Sequence, residues 1–160
     1  MMTQRQYEFF KYLFDSEDAR FKDLIERGKV YLTVATAYLG VLAFKNQEFL
    51  ISSTDITAKV LFCLVALFFL AALVCIVFSL AIYKYEGLCD PEKVLEEIGS
   101  HPQSDDTFFD LRTADMAVAH NRNQKQNDRR ADCLAIASWL MAIGVLFHVQ
   151  FVFAYFNFKI

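Results

Sequence analysis

The chain has 160 residues, 56% of them apolar, with 17 phenylalanines, two prolines, five glycines and a formal net charge of −3. That length is one domain's worth of chain. Long apolar blocks with so few breakers argue against a packed soluble core and for helices in a membrane. The net charge itself decides little, because where the charges sit matters more than their sum.

The sequence predicts helices in chain order. Residues 3–14 read as a short amphipathic helix, with Thr3 and Gln6 as a capping box and Tyr7, Phe10 and Phe14 at helical spacing. Ser16, followed by Glu17 and Asp18, then reads as a second N-cap. Phe21, Leu24 and Ile25 continue an apolar stripe among charges. The first 29 residues are dense in charges of both signs, so a cleavable signal peptide is not expected there.

VYLTVATAYLGVLAF (residues 30–44) is almost purely apolar and reads as a first membrane span, extending to about residue 51. At about 1.5 Å per residue it is short for a bilayer of about 30 Å, and Lys29 and Lys45 can snorkel outward from its ends. A hydrophilic turn at residues 46–55 follows, with Thr54 or Asp55 as the next cap. VLFCLVALFFLAALVCIVFSLAIY (residues 60–83) then runs without a charge and reads as a second span.

Residues 84–130 form the large hydrophilic segment. Asp90-Pro91 opens a short helix to Ile98, and His101-Pro102 makes a turn. Ser104 caps a new helix with Asp105 and Asp106 in its first turn. Phe108, Leu111, Ala114 and Val118 mark its expected apolar face. No breaker follows, so this helix is expected to pass through AHNRNQKQNDRRADCLAIASWL into a third span at residues 131–157. The fold class is therefore an all-α membrane protein. It has three transmembrane helices, an N-terminal amphipathic region (1–29), a transmembrane hairpin (30–83) and a helical cytoplasmic insert (84–130).

Lys and Arg concentrate in residues 1–29 and 84–130. By the positive-inside rule both segments face the cytoplasm and the C-terminus faces outside, an orientation that three spans satisfy. The insert is acidic from Glu86 to Asp115 and basic from Met116 to Arg130. Arg122, Lys125, Arg129 and Arg130 are thus candidate ligand-binding residues. Anionic lipid headgroups would explain them. So would a nucleotide or oligonucleotide, whose phosphates suit Arg forks, with Asn121, Asn123, Gln124, Gln126 and Asn127 adding amides.

Within the spans, His148, Gln150, Thr33 and Thr36 are the candidate intramembrane polar or pore-lining residues, because such groups face a partner helix or water. Three helices are too few to enclose a water path, so conduction would need a homo-oligomer, for which we expect a tetramer. No repeat and no Gly/Pro-broken pair of spans suggests a transporter. No hydrolase, nucleotide-binding P-loop or zinc motif occurs. Arg112 and His120 lie eight residues apart, longer than expected for a catalytic pair. The four cysteines (63, 75, 89 and 133) form no C-x-x-C and read as reduced small hydrophobes. No enzyme, cofactor or metal is expected.

The arrangement resembles a family. Two N-terminal spans, a helical cytoplasmic insert and a long helix running N-R-N…R-R-A-D-C-L-x-I-A-x-W-L into the last span look like the small transmembrane effectors of bacterial anti-phage systems of the Pycsar and Hailong kind. Residues 26–29 (Glu-Arg-Gly-Lys) and 121–140 carry the resemblance. It implies an oligomeric inner-membrane effector, controlled by a nucleotide or oligonucleotide from a nucleotidyltransferase partner, that permeabilises the membrane as an ion channel or pore. The alternative is a non-conducting membrane anchor or scaffold that recruits a cytoplasmic partner.

Overall fold

The computed structural model describes residues 4–45, 56–81 and 105–157, all of them helical: α1 (Gln4–Lys45), α2 (Ile56–Ala81) and α3 (Asp105–Asn157). The expected caps at Thr3 and Ser104, the turn at 46–55, the short helix at 90–98 and the tail ends of the first two spans lie outside the described residues.

The two N-terminal helices expected around Ser16 are one. Ser16 sits exposed inside α1, because a cap needs a non-helical backbone and nothing nearby breaks the ladder. α3 is likewise unbroken, as the absence of Pro and of any break-forming Gly from 105 to 143 predicts.

All three helices bury a seam spaced alternately three and four residues apart, the period of a coiled coil. In α1 it runs Tyr7, Phe10, Phe14, Glu17, Phe21, Leu24, Gly28, Tyr31, Ala35, Tyr38, Leu42. In α2 it runs Ala58, Phe62, Val65, Phe69, Ala72, Ile76, Ser79. In α3 it runs Thr113, Met116, His120, Asn123, Asn127, Arg130, Leu134, Ala137, Met141, Gly144, His148, Phe151. This corrects one expectation: Leu111, Ala114 and Val118 face outward, and Phe108 is half-buried beneath the Arg112 guanidinium, 5.7 Å from its ring centre. The apolar stripe lost to a more polar one because an unbroken helix has a single phase, and that phase meets Leu134 and Ala137 further along.

The chain divides into two compact units, whose described parts are residues 4–24 with 105–129, and residues 25–45 with 56–81 and 130–157. In the first, α1 and α3 run parallel. Tyr7 meets Phe109 edge-on at 5.3 Å, and Glu17 meets Asn127. In the second, α2 packs antiparallel to both, and α1 and α3 also touch through Tyr38 and His148. Phe62 lies 5.8 Å from Phe151, and Phe68 stacks on Phe147 at 5.4 Å. Tyr38 stacks on Phe69 at 4.0 Å. The helices close tightly at two glycines. A Cβ on Gly28 would meet Leu80 at 2.8 Å, and one on Gly144 would meet the Phe69 ring at 2.8 Å.

The outer surface of the second unit carries many large apolar side chains. Val34, Val41 and Phe44 on α1 are exposed. So are Leu67, Val74 and Phe78 on α2, and Ile136, Trp139, Leu146 and Phe153 on α3. Among the described residues, most of α2 is not covered by the rest of the chain. Two helices, α2 and α3, are long and apolar enough to cross a membrane. The stretch of α1 between Lys29 and Lys45 is shorter and carries two threonines and two tyrosines.

Candidate functional site

The basic quartet divides. Arg122, Lys125 and Arg129 follow one another at i, i+3 and i+7 and all are exposed, so they share the outer face of α3 in the first unit. Arg130 is 3% exposed and lies on the seam in the second unit, so it does not join them. Burial holds the Arg130 guanidinium below its ordinary pKa. Its backbone carbonyl accepts a hydrogen bond from the Ser79 hydroxyl at 3.3 Å, which ties the last turn of α2 to α3.

Behind the exposed basic face is a polar interface between α1 and α3. Asn127, 1% exposed, donates its amide to the Glu17 backbone carbonyl at 3.0 Å and to the Glu17 carboxylate at 2.8 Å. Glu17 is itself 8% exposed, and a charge buried to this degree needs such partners. Arg20 supplies another: it lies 3.6 Å from the second Glu17 oxygen and 2.7 Å from Asp128 on α3. The hydrogen bond to Asp128 raises the Arg20 pKa, against the opposing effect of burial and with help from Glu17. Thr113 and Asn123 are also fully buried on this seam, and the Thr113 hydroxyl turns back to the Phe109 carbonyl at 2.7 Å.

Asn127 was named by the sequence as an amide donor toward an anion; the structure turns it inward to Glu17. Glu17 and Arg20 were not singled out. Their signal was the heptad spacing, counted back from the apolar span through polar residues.

In the second unit the four intramembrane candidates do not share a face. His148 is half-buried and meets Tyr38 edge-on at 5.6 Å. The Tyr38 hydroxyl and His148 Nδ1 are buried and make no hydrogen bond among the described residues. Gln150 is exposed, two residues and hence about 200° round the helix from His148. Thr33 and Thr36 are exposed as well, but each hydroxyl bonds its own helix, Thr33 to the Lys29 carbonyl at 2.9 Å and Thr36 to the Leu32 carbonyl at 2.8 Å. That satisfies them without water. Arg112, the other basic residue of the insert helix, pairs with Asp115 at 3.2 Å. Comparison with known protein families, curated proteins and solved structures finds no match to this chain.

Proposed function

We propose that the chain is a three-span protein of the bacterial inner membrane and a homo-oligomeric effector of nucleotide-signalled anti-phage defence. The N-terminus and residues 84–130 lie in the cytoplasm, and the C-terminus outside. In this reading residues 30–44 of α1 form the third span beside α2 and the C-terminal half of α3. The observation that carries the membrane assignment is the outward ring of large apolar side chains on all three helices, α1 included. Lys29 and Lys45 bracket the short span in the sequence.

The ligand, a nucleotide or oligonucleotide made by a nucleotidyltransferase partner, binds Arg122, Lys125 and Arg129 through charge-assisted bonds. Its energy acts on α3, whose backbone ladder continues from that face into the apolar unit. A ligand shifts an equilibrium only by its differential affinity for two packings, so the binding face must differ between them. The layout of spans and insert resembles that of the small defence effectors and supports the setting. A conducting path forms between copies, because His148 is occupied with Tyr38 inside one bundle. Gln150, an outward amide on an apolar face, is the group that a neighbouring copy would satisfy. Expression with the activating partner should collapse the membrane potential, read with a voltage-sensitive dye; an unchanged potential sinks the channel reading.

One observation favours the alternative, a non-conducting anchor. Thr33 and Thr36 are self-satisfied and His148 packs against Tyr38, so among the described residues these three are not left free to line a path. An anchor keeps its function in a His148→Leu, Gln150→Leu double variant, whereas a channel changes its conductance.

A further inference from the structure

The ion pair between Arg20 and Asp128 spans α1 and α3 at 2.7 Å, yet both side chains remain reachable by solutes, at 38% and 53% exposed. Lys125 and Gln124 stand exposed three and four residues before Asp128 on α3, one turn away on the same side of the helix. A phosphate held by Lys125 therefore sits within a turn of the guanidinium. Asp128 is the only acidic residue between Met116 and Arg130, and at the edge of the basic face nearest α1 it acts as an internal stand-in for an anion. A phosphate offers more oxygens and more charge than a carboxylate, and an Arg fork binds it bidentately.

We propose that Arg20 is the fourth basic residue of the anion site and its switch: a bound phosphate group takes the Arg20 guanidinium from Asp128. This rests on the reading that the exposed basic face of α3 binds a phosphate-bearing ligand. The exchange moves the guanidinium off Asp128 and away from Glu17, so the α1–α3 pair loses its cross-helix ion pair when ligand binds. Glu17 then keeps Asn127 as its partner across the interface. Ligand binding and helix pairing thereby draw on one side chain, which makes the face responsive to its occupant.

The test uses the full chain in phosphatidylcholine nanodiscs with inorganic pyrophosphate as the probe, followed by calorimetry. Asp128→Asn removes the competitor and should tighten pyrophosphate about two- to fivefold, the scale of one exposed ion pair. Arg20→Gln should weaken it by about fivefold or more. In the Arg20→Gln background, Asp128→Asn should no longer tighten binding. Asp115→Asn removes the same charge elsewhere on α3, where its partner is Arg112, and should leave affinity near wild type. Equal tightening by Asp115→Asn, or tightening by Asp128→Asn that survives Arg20→Gln, overturns the switch. A triple Arg122→Gln, Lys125→Gln, Arg129→Gln variant that binds like wild type, or no binding by any protein, overturns the anion site itself. In phosphatidylglycerol discs, suppression of the pyrophosphate signal assigns the phosphate to lipid headgroups, and retention assigns it to a soluble ligand.

Discussion

Asn127 joins α3 to α1 by donating one side-chain amide to both the backbone carbonyl and the carboxylate of Glu17, at 3.0 and 2.8 Å. The two residues are 110 apart in sequence, and both are buried. A polar pair in a coiled-coil seam gives up some stability and fixes register, since sliding the helices would strand both groups away from water.

Asn127→Ala is expected to leave the Glu17 carboxylate without its interhelical donor. The loss should be about 1.5–3 kcal/mol in the α1–α3 pair, the range for a hydrogen bond to a charged group. Replacing both residues by leucine should recover most of that stability while loosening register. Helix melting in detergent measures the first effect, and disulfide trapping between engineered cysteines on α1 and α3 measures the second. A single variant as stable as wild type would show that the clamp is energetically idle.

The glycines should rank by what a methyl group would strike. At Gly144 the obstacle is the Phe69 ring, itself stacked on Tyr38, so alanine should cost about 1–3 kcal/mol by overpacking. At Gly28 it is the end of the Leu80 side chain, which can rotate away, so the cost should be smaller. Gly40 has open space around its Cβ position, and alanine there should be tolerated. Thermal midpoints of the three alanine variants in one detergent give the order.

Tyr38→Phe deletes a buried hydroxyl that has no hydrogen bond among the described residues. Because an unsatisfied buried group costs about 1–3 kcal/mol, this substitution should be neutral or stabilising, against the usual direction of core changes. A clear loss of thermal stability would reveal a partner for the hydroxyl in the assembled protein.

Arg130→Leu separates the quartet by function. Arg130 is buried on the seam, apart from the exposed three, so its loss should alter bundle stability and leave anion affinity near wild type. Arg129→Gln, one residue earlier, should do the reverse. Pyrophosphate titration beside a thermal melt for each variant distinguishes them.

The course of α3 was legible because nothing from Asp105 to Gly144 stops a helix, and α2 because its apolar run is longer than a soluble domain needs. The boundary at Ser16 was misread because a capping signature followed by acids occurs equally well on an exposed helical face. The seam of the polar unit was hidden for a chemical reason. Glu17, Thr113, Asn123 and Asn127 occupy positions where an apolar residue is expected, so the outward stripe at Leu111 and Val118 looked like the better face. Counting back by sevens from Leu134 gives Asn127, His120 and Thr113, and from Ala137 gives Arg130, Asn123 and Met116. That spacing was readable, but Glu17 and Asn127, which make each other tolerable, lie 110 residues apart. The opposite fates of His148 and Gln150 were also readable in principle, since two residues in a helix point nearly opposite ways.

Trp139 is the chain's single tryptophan and lies 71% exposed on the outer, apolar face of α3. It reports directly on what surrounds the second unit. In proteoliposomes containing lipids brominated along the acyl chains, a membrane-embedded bundle predicts blue-shifted Trp139 emission, strongly quenched by the bromolipid and little affected by aqueous iodide. Red-shifted emission, quenched by iodide and indifferent to bromolipid, would contradict the membrane assignment on which the account stands.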